Sequence, residues 1–440
     1  MTCFTNPVYF NPILSILITA TILLIEPAKV MAQDSTYFGF EGYMRSGFGV
    51  DGKGGPHDVF KAPDSEAKYR LGNEAEAYVE ALFKYGFEDE LGSLFETNLR
   101  LAFVTPTSKS NDFITTSSIR EVFVRAKGIV GAKPLMTFWA GQRFYDQYDV
   151  HINDYYYRDM SGFGGGIEDL LIGNSAKISL AYLGGSIDEL SSNGSVQPLN
   201  EFVFNKTTLD LTIYDIDVGF GHLGITLDFS NFKGDSIETT DGLIEVSSNT
   251  GWSAGLFHVL PFEGGRNLLN VFYGTGAAEN YKAVITQPMG ISLSPGEMID
   301  VGGFSRFRIL NDLLVDFGPK FSMLGLLMYQ KLGNKQPEHN KLDWFSAGIR
   351  PSYHFSRYFS LVGEVGMDHT RQEGLDQGTV LKMTLAPQIS PLNKILSRPA
   401  LRAYFTYAYW SDSFTGQVAT GSYADQNKGI SFGLQMEVWW

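Results

Sequence analysis

The sequence predicts an all-β fold, a closed transmembrane antiparallel β-barrel, and three observations predict it. Runs of about ten residues alternate apolar and polar and end in clusters of Gly, Asn, Asp or Ser, the marks of strands and turns. The polar faces of these runs are dense in charge, and 22 Tyr and 33 Phe are enough for the aromatic girdles of a membrane barrel. The chain of 440 residues shows no Pro/Ser-rich linker and no abrupt shift in composition. Alternation alone also suits a soluble sandwich. A sandwich, however, buries its apolar face, whereas a membrane barrel turns that face to lipid and keeps charge around a wet lumen.

Four runs carry the pattern. In the first, Phe40, Met44 and Phe48 share one parity and Glu41, Tyr43 and Arg45 the other, because successive side chains of a strand face opposite ways. From Arg70 to Phe83, the residues Leu71, Ala75, Ala77, Val79, Ala81 and Phe83 oppose Arg70, Glu74, Glu76, Tyr78 and Glu80. Around Phe95 to Phe103, Phe95, Leu99 and Leu101 oppose Glu96, Asn98 and Arg100. At the C-terminus, Phe432, Leu434, Met436, Val438 and Trp440 alternate with Ser431, Gly433, Gln435, Glu437 and Trp439, so the chain ends on an aromatic residue of the apolar set.

The apolar run Ile13 to Ile25 is thirteen residues long, short of the ~20 that a spanning helix needs. It reads as the core of a signal peptide over residues 1–32, with Val30-Met31-Ala32 before the cut, although the usual positive charge at the start is missing. Residues 33–440 then form a single barrel domain, with roughly 23 residues per strand and connection for about eighteen strands. Cys3 is the only cysteine and lies in the leader, so the mature chain has no disulfide. A formal net charge of -14 argues against a nucleic-acid partner, which requires a basic surface.

Specific residues go further. Gly42-Tyr43-Met44-Arg45-Ser46-Gly47 followed by Lys68-Tyr69-Arg70-Leu71-Gly72-Asn73-Glu74 resembles the opening hairpin of the maltoporin family. Trp139-Ala140-Gly141, Arg143-Phe144-Tyr145, Asp149-Val150-His151 and Tyr156-Tyr157 resemble that family's inward-folded constriction loop in order and nearly in spacing. Gly348-Ile349-Arg350-Pro351, Ser397-Arg398-Pro399-Ala400 and the ending Gln435 to Trp440 agree as well, while residues 185 to 340 match weakly. The resemblance implies an eighteen-stranded barrel with a constriction loop, a homotrimer in the lipid of the bacterial outer membrane, and passive diffusion of sugars along a lumen of aromatic rings flanked by polar groups.

Such a lumen makes chemical sense, because a pyranose ring has apolar C–H faces that stack on aromatic rings and hydroxyls that need donors and acceptors. By resemblance, Tyr43, Tyr78 and Trp439 occupy aromatic-slide positions, and Phe113 occupies the one that a neighbouring subunit contributes. Arg45, Arg70, Glu80, Arg120, Asp149, Asp154 and His151 match the polar tracks, and Tyr156 matches the tyrosine that narrows the channel. Three positions depart from the family: Gln147 replaces a loop arginine, Arg266 a slide phenylalanine and Leu396 a slide tryptophan. Val59 and Ala75 stand where the family has a disulfide, so packing must hold the first long loop.

Plainer readings exist for each feature. Tyr43 and Tyr78 also suit an interfacial girdle, but their parity with Arg45 and Glu80 points to the lumen. Asp149 and Asp154 also suit a glycosidase pair, yet any acid pair is a weak signal in so acidic a chain, and no catalytic residue or enzyme activity is assigned. The seven histidines form no ligand spacing and the glycines no phosphate or dinucleotide fingerprint, so no metal and no cofactor is expected. The expected function is a passive sugar porin for maltose, maltodextrin or related oligosaccharides. The alternatives are a general or differently selective porin and a secreted all-β carbohydrate-binding protein or glycoside hydrolase.

Overall fold

The computed structural model describes residues 35–106, 116–187, 199–284, 298–299, 301–334, 341–373 and 376–440. Its main sheet has 18 strands, each antiparallel to its neighbours. The first strand, Ser35–Asp51, pairs with both Glu76–Glu88 and the last strand, Lys428–Trp439, so the sheet closes with no free edge. Tyr43 lies opposite Trp439 across that seam.

Burial decides between the two all-β geometries. Phe48 and Leu434 are 64% and 63% exposed, whereas Asp210, Asn270 and Thr406 on inward parities are fully buried. Apolar side chains therefore cover the outside and polar ones the inside, the reverse of a soluble sandwich and the arrangement of a lipid-facing barrel. Connections alternate between short turns, such as 173–175 and 263–264, and long segments, such as 52–75 and 144–161. Both the first strand's start and the chain's final residue lie at the short-turn end, the periplasmic side of such barrels.

The apolar core sits inside the barrel, where folded-in loops meet one side of the wall. Tyr69, Val150, Ile152, Tyr155, Tyr157, Phe272, Tyr281 and Trp344 form its main cluster. Tyr69 lies against Gly348 and Gly366, where any Cβ would collide with the ring. Those two wall glycines let the first loop approach the sheet.

One sequence expectation is corrected here. The strand expected from Arg70 starts only at Glu76, and residues 68–75 instead form a turn folded into the lumen. Leu71, expected on the lipid side, is buried among Val362, Ala386 and Tyr404 of the inner wall. The Asn73 side chain receives a hydrogen bond from the Phe60 amide and donates to the Phe60 carbonyl, each at 2.9 Å, so packing and one amide hold the loop.

Candidate functional site

The constriction is built by residues 144–161, which leave the wall strand Thr137–Arg143 and fold inward as a small hairpin of Gln147–Val150 and Tyr155–Asp159. Val150 and Ile152 are its apolar anchors, both buried in the core. Its polar anchor is Arg158, fully buried, which pairs with Asp146 at 2.7 Å, with Asp228 at 2.8 Å and with Asp210. Asp210 and Asp228 belong to the adjacent wall strands Phe204–Asp217 and His222–Lys233, so the guanidinium fastens loop to wall. A second fastening runs through Glu66 of the first loop, which accepts hydrogen bonds from Tyr155 and Gln330 at 2.9 Å and pairs with Arg306.

Between this hairpin and the wall lies a cavity of about 810 Å³. It is lined by Tyr43, Arg45, Arg70, Tyr78, Glu80, Arg120, Asp149, His151, Asp154, Tyr156 and Trp439, which the tertiary structure thus brings together. Phe113 lies outside the described residues.

Three of the rings form a file. Tyr43 and Trp439 stack with centroids 6.5 Å apart and 16° between planes, and Tyr78 follows 6.1 Å from Tyr43. Arg398 covers one side of Trp439 at 4.2 Å, with the His151 ring edge-on at 5.7 Å. The exposed Tyr156 faces the same space from the hairpin.

Beside the rings runs a ladder of charge. Arg45 bonds Glu76 at 2.8 Å and reaches Asp154 at 3.7 Å. Arg70 bonds Glu74 at 2.9 Å and Glu437 at 3.2 Å, and donates to the Tyr43 hydroxyl at 2.7 Å. Arg100 bonds Glu80 at 3.1 Å, and Glu80 accepts from the Tyr78 hydroxyl. Paired ions of this kind keep their positions while offering spare lone pairs and N–H groups to a passing hydroxyl.

Arg120 reaches the lumen by a backbone irregularity. Arg100 pairs with Glu121 and Leu101 with Ile119, so Arg120 is the extra residue of a bulge. Glu121 is buried within the barrel while Ile119 and Val122 are exposed outside, and the bulge lets Arg120 face inward beside Glu121. Its guanidinium lies 5.4 Å from the Phe144 ring.

The loop residues also have shifted proton affinities. Burial pushes the His151 ring well down from its ordinary value, against the pull of Glu437, so it is neutral near neutral pH. Asp149 is pushed up, first by desolvation inside the barrel and then by the Asp154 carboxylate. A raised carboxyl takes its proton at higher pH than an ordinary aspartate and then ceases to attract cations. Cation-over-anion selectivity is therefore expected to begin falling, as pH is lowered, before ordinary carboxylates protonate. Reversal potentials in a salt gradient across a pH series check this, and Asp149→Asn should lack the early step; an identical titration in both proteins contradicts it.

Several residues that line the cavity or pair with its lining had no role in the sequence reading. Arg100 and Glu437 were legible in principle, since both sit on lumen-facing parity in strands. Arg398 lies in a connection, and Tyr148 and Asp159 in the short strands of the constriction hairpin, too brief for a period to mark the inward direction.

A closed barrel, apolar outside and charged within, narrowed by a loop folded to mid-lumen, defines a porin-type channel. The chain belongs to the LamB porin family, which matches residues 38–440, in agreement with the maltoporin resemblance. It is a porin of the bacterial outer membrane. Among solved structures it is similar to OpdO of Pseudomonas aeruginosa, with 12% identity over 93% of this chain and 98% of that one and a TM-score of 0.47. It is also similar to the outer membrane channel DcaP of Acinetobacter baumannii, with 9% identity, coverage of 92% and 98%, and a TM-score of 0.46. OmpT of Vibrio cholerae shares 10% identity over 93% and 99%, with a TM-score of 0.41.

Proposed function

We propose that this porin conducts neutral sugars by facilitated diffusion, and the observation that carries the reading is the file of Trp439, Tyr43 and Tyr78 beside the ion-paired Arg45, Arg70, Glu80 and Asp154. The rings take the apolar face of a pyranose, and the ion pairs exchange hydrogen bonds with its hydroxyls. Each contact is weak, as transport demands, because a site that holds its ligand tightly blocks passage. In this reading the tracks include Arg120, Asp149 and His151, Tyr156 narrows the path, and Phe113 serves a neighbouring copy in a homotrimer. Residues 1–32 act as a leader removed on export, which N-terminal sequencing of the mature protein checks.

Purified protein in a planar bilayer is expected to conduct ions and to be blocked reversibly by maltose or a malto-oligosaccharide. Trp439→Ala should weaken that block about tenfold, the value of one well-stacked ring, while leaving small-ion conductance intact. Block that survives unchanged in this variant argues against the stacking role.

A second reading, a porin of different selectivity, is favoured by Arg266. Its guanidinium pairs with Asp312 at 3.1 Å on the lumen side, where the resemblance places a slide phenylalanine. Conductance without any sugar block supports that alternative.

A further inference from the structure

The loss of an aromatic residue at Arg266 has a counterpart a short distance along the same wall. Phe257, in the strand Asn249–Phe262, has the inward parity of the buried Ser253 and Gly255, while Trp252 and Leu256 face lipid. Its strand neighbours the one carrying Arg266, with Phe257 opposite Asn270 and Pro261 opposite Arg266. Over this wall stands Tyr148 of the constriction hairpin, its ring 6.2 Å from Phe257 and stacked on Tyr157 at 5.9 Å and 14°. Packing of the hairpin to the wall is already supplied by the buried Val150, Ile152 and Tyr157. Tyr148 remains 36% exposed and lines the same cavity as Tyr43, Tyr78 and Trp439.

We propose that Tyr148 and Phe257 form a second sugar-stacking station, following the Trp439–Tyr43–Tyr78 file and replacing the ring absent at Arg266. The station holds both elements a sugar needs. Tyr148 supplies the ring surface open to the cavity, the partly buried Phe257 extends the apolar wall behind it, and polar partners stand beside them. The Arg266 side chain, 42% exposed, keeps donors open beyond its pair with Asp312, and the neighbouring Asp149 is an exposed acceptor. A long oligosaccharide then engages the first file and the second station together, whereas a disaccharide is served by the first file alone. Chain-length preference accordingly resides in Tyr148 and Phe257.

This inference rests on the proposed sugar-porin reading, and the experiment separates the two. Tyr148→Leu and Phe257→Leu keep apolar bulk but remove the ring, and Tyr148→Phe restores it. Each variant is compared with the unaltered protein in planar bilayers, with maltohexaose and maltose as probes and single-channel conductance as the check on folding. The leucine variants are expected to lose about fivefold in maltohexaose block and to keep maltose block, while Tyr148→Phe behaves as the unaltered protein. If the unaltered protein is blocked by neither sugar, the sugar-porin reading itself fails. If it is blocked by both and the leucine variants are blocked equally well, or lose both sugars alike, the second station is overturned and the first reading stands.

Discussion

Replacing Arg158 by alanine is expected to release the constriction loop and raise single-channel conductance. One guanidinium serves Asp146, Asp210 and Asp228, and none of the four side chains is more than marginally exposed. Removing the only cation that pairs with them among the described residues leaves carboxylates inside the protein without their counter-ion, a change that typically costs about 3–5 kcal/mol. The backbone ladder of the wall does not depend on this cluster. The loss should therefore appear as a freed hairpin and a wider, noisier channel rather than an unfolded barrel. Arg158→Met combined with Asp146→Asn, Asp210→Asn and Asp228→Asn removes the charges together and should recover much of the original conductance, because neutral groups need no counter-ion. Unaltered conductance in Arg158→Ala contradicts the loop-fastening role.

Glu437→Gln should have the second large effect. The carboxylate bonds Arg398 at 2.5 Å, Arg70 at 3.2 Å and Arg402 at 3.3 Å, and accepts from the Tyr43 hydroxyl at 3.1 Å. Glutamine preserves shape but leaves Arg398 and Arg402, among the described residues, with neutral partners only, Gln388 for the latter and the His151 ring and the carbonyls of Ile395 and Ser397 for the former. About 3–5 kcal/mol of local stability is at stake, and the lumen gains one net positive charge beside Trp439. Reversal potentials should shift toward anions, and the Arg398 guanidinium should lose its hold over the Trp439 face. A selectivity equal to that of the unaltered protein counts against this assignment.

Much of the site was legible because alternation is geometric. Once Phe432, Leu434 and Met436 are set against lipid, Glu437 and Trp439 must face the other way. The same rule oriented Tyr43 with Arg45 and Tyr78 with Glu80. It failed at two places for identifiable reasons. Arg70 and Glu74 alternate like strand residues, yet they lie in a turn whose conformation is stabilised by contacts with distant walls, including the Leu71 amide donating to Glu364 at 3.2 Å. Arg120 would face lipid if strict alternation held through Glu121, and only the bulge against Arg100 and Leu101 turns it inward.

The amino-acid sequence by itself determined an all-β chain and the facing of most of its strands, because a period of two is geometric, and its charge and aromatic content predicted the inside-out barrel that burial then decided. The resemblance carried by its motifs identified the family. Tertiary structure alone decided how far the first loop and the constriction hairpin fold into the lumen, and which charges fasten them there. Those outcomes depend on long-range partners, such as Arg158 with Asp210 and Asp228 or Tyr69 with Gly348 and Gly366. No local periodicity encodes such contacts, since they arise only when segments far apart in the chain share one interior.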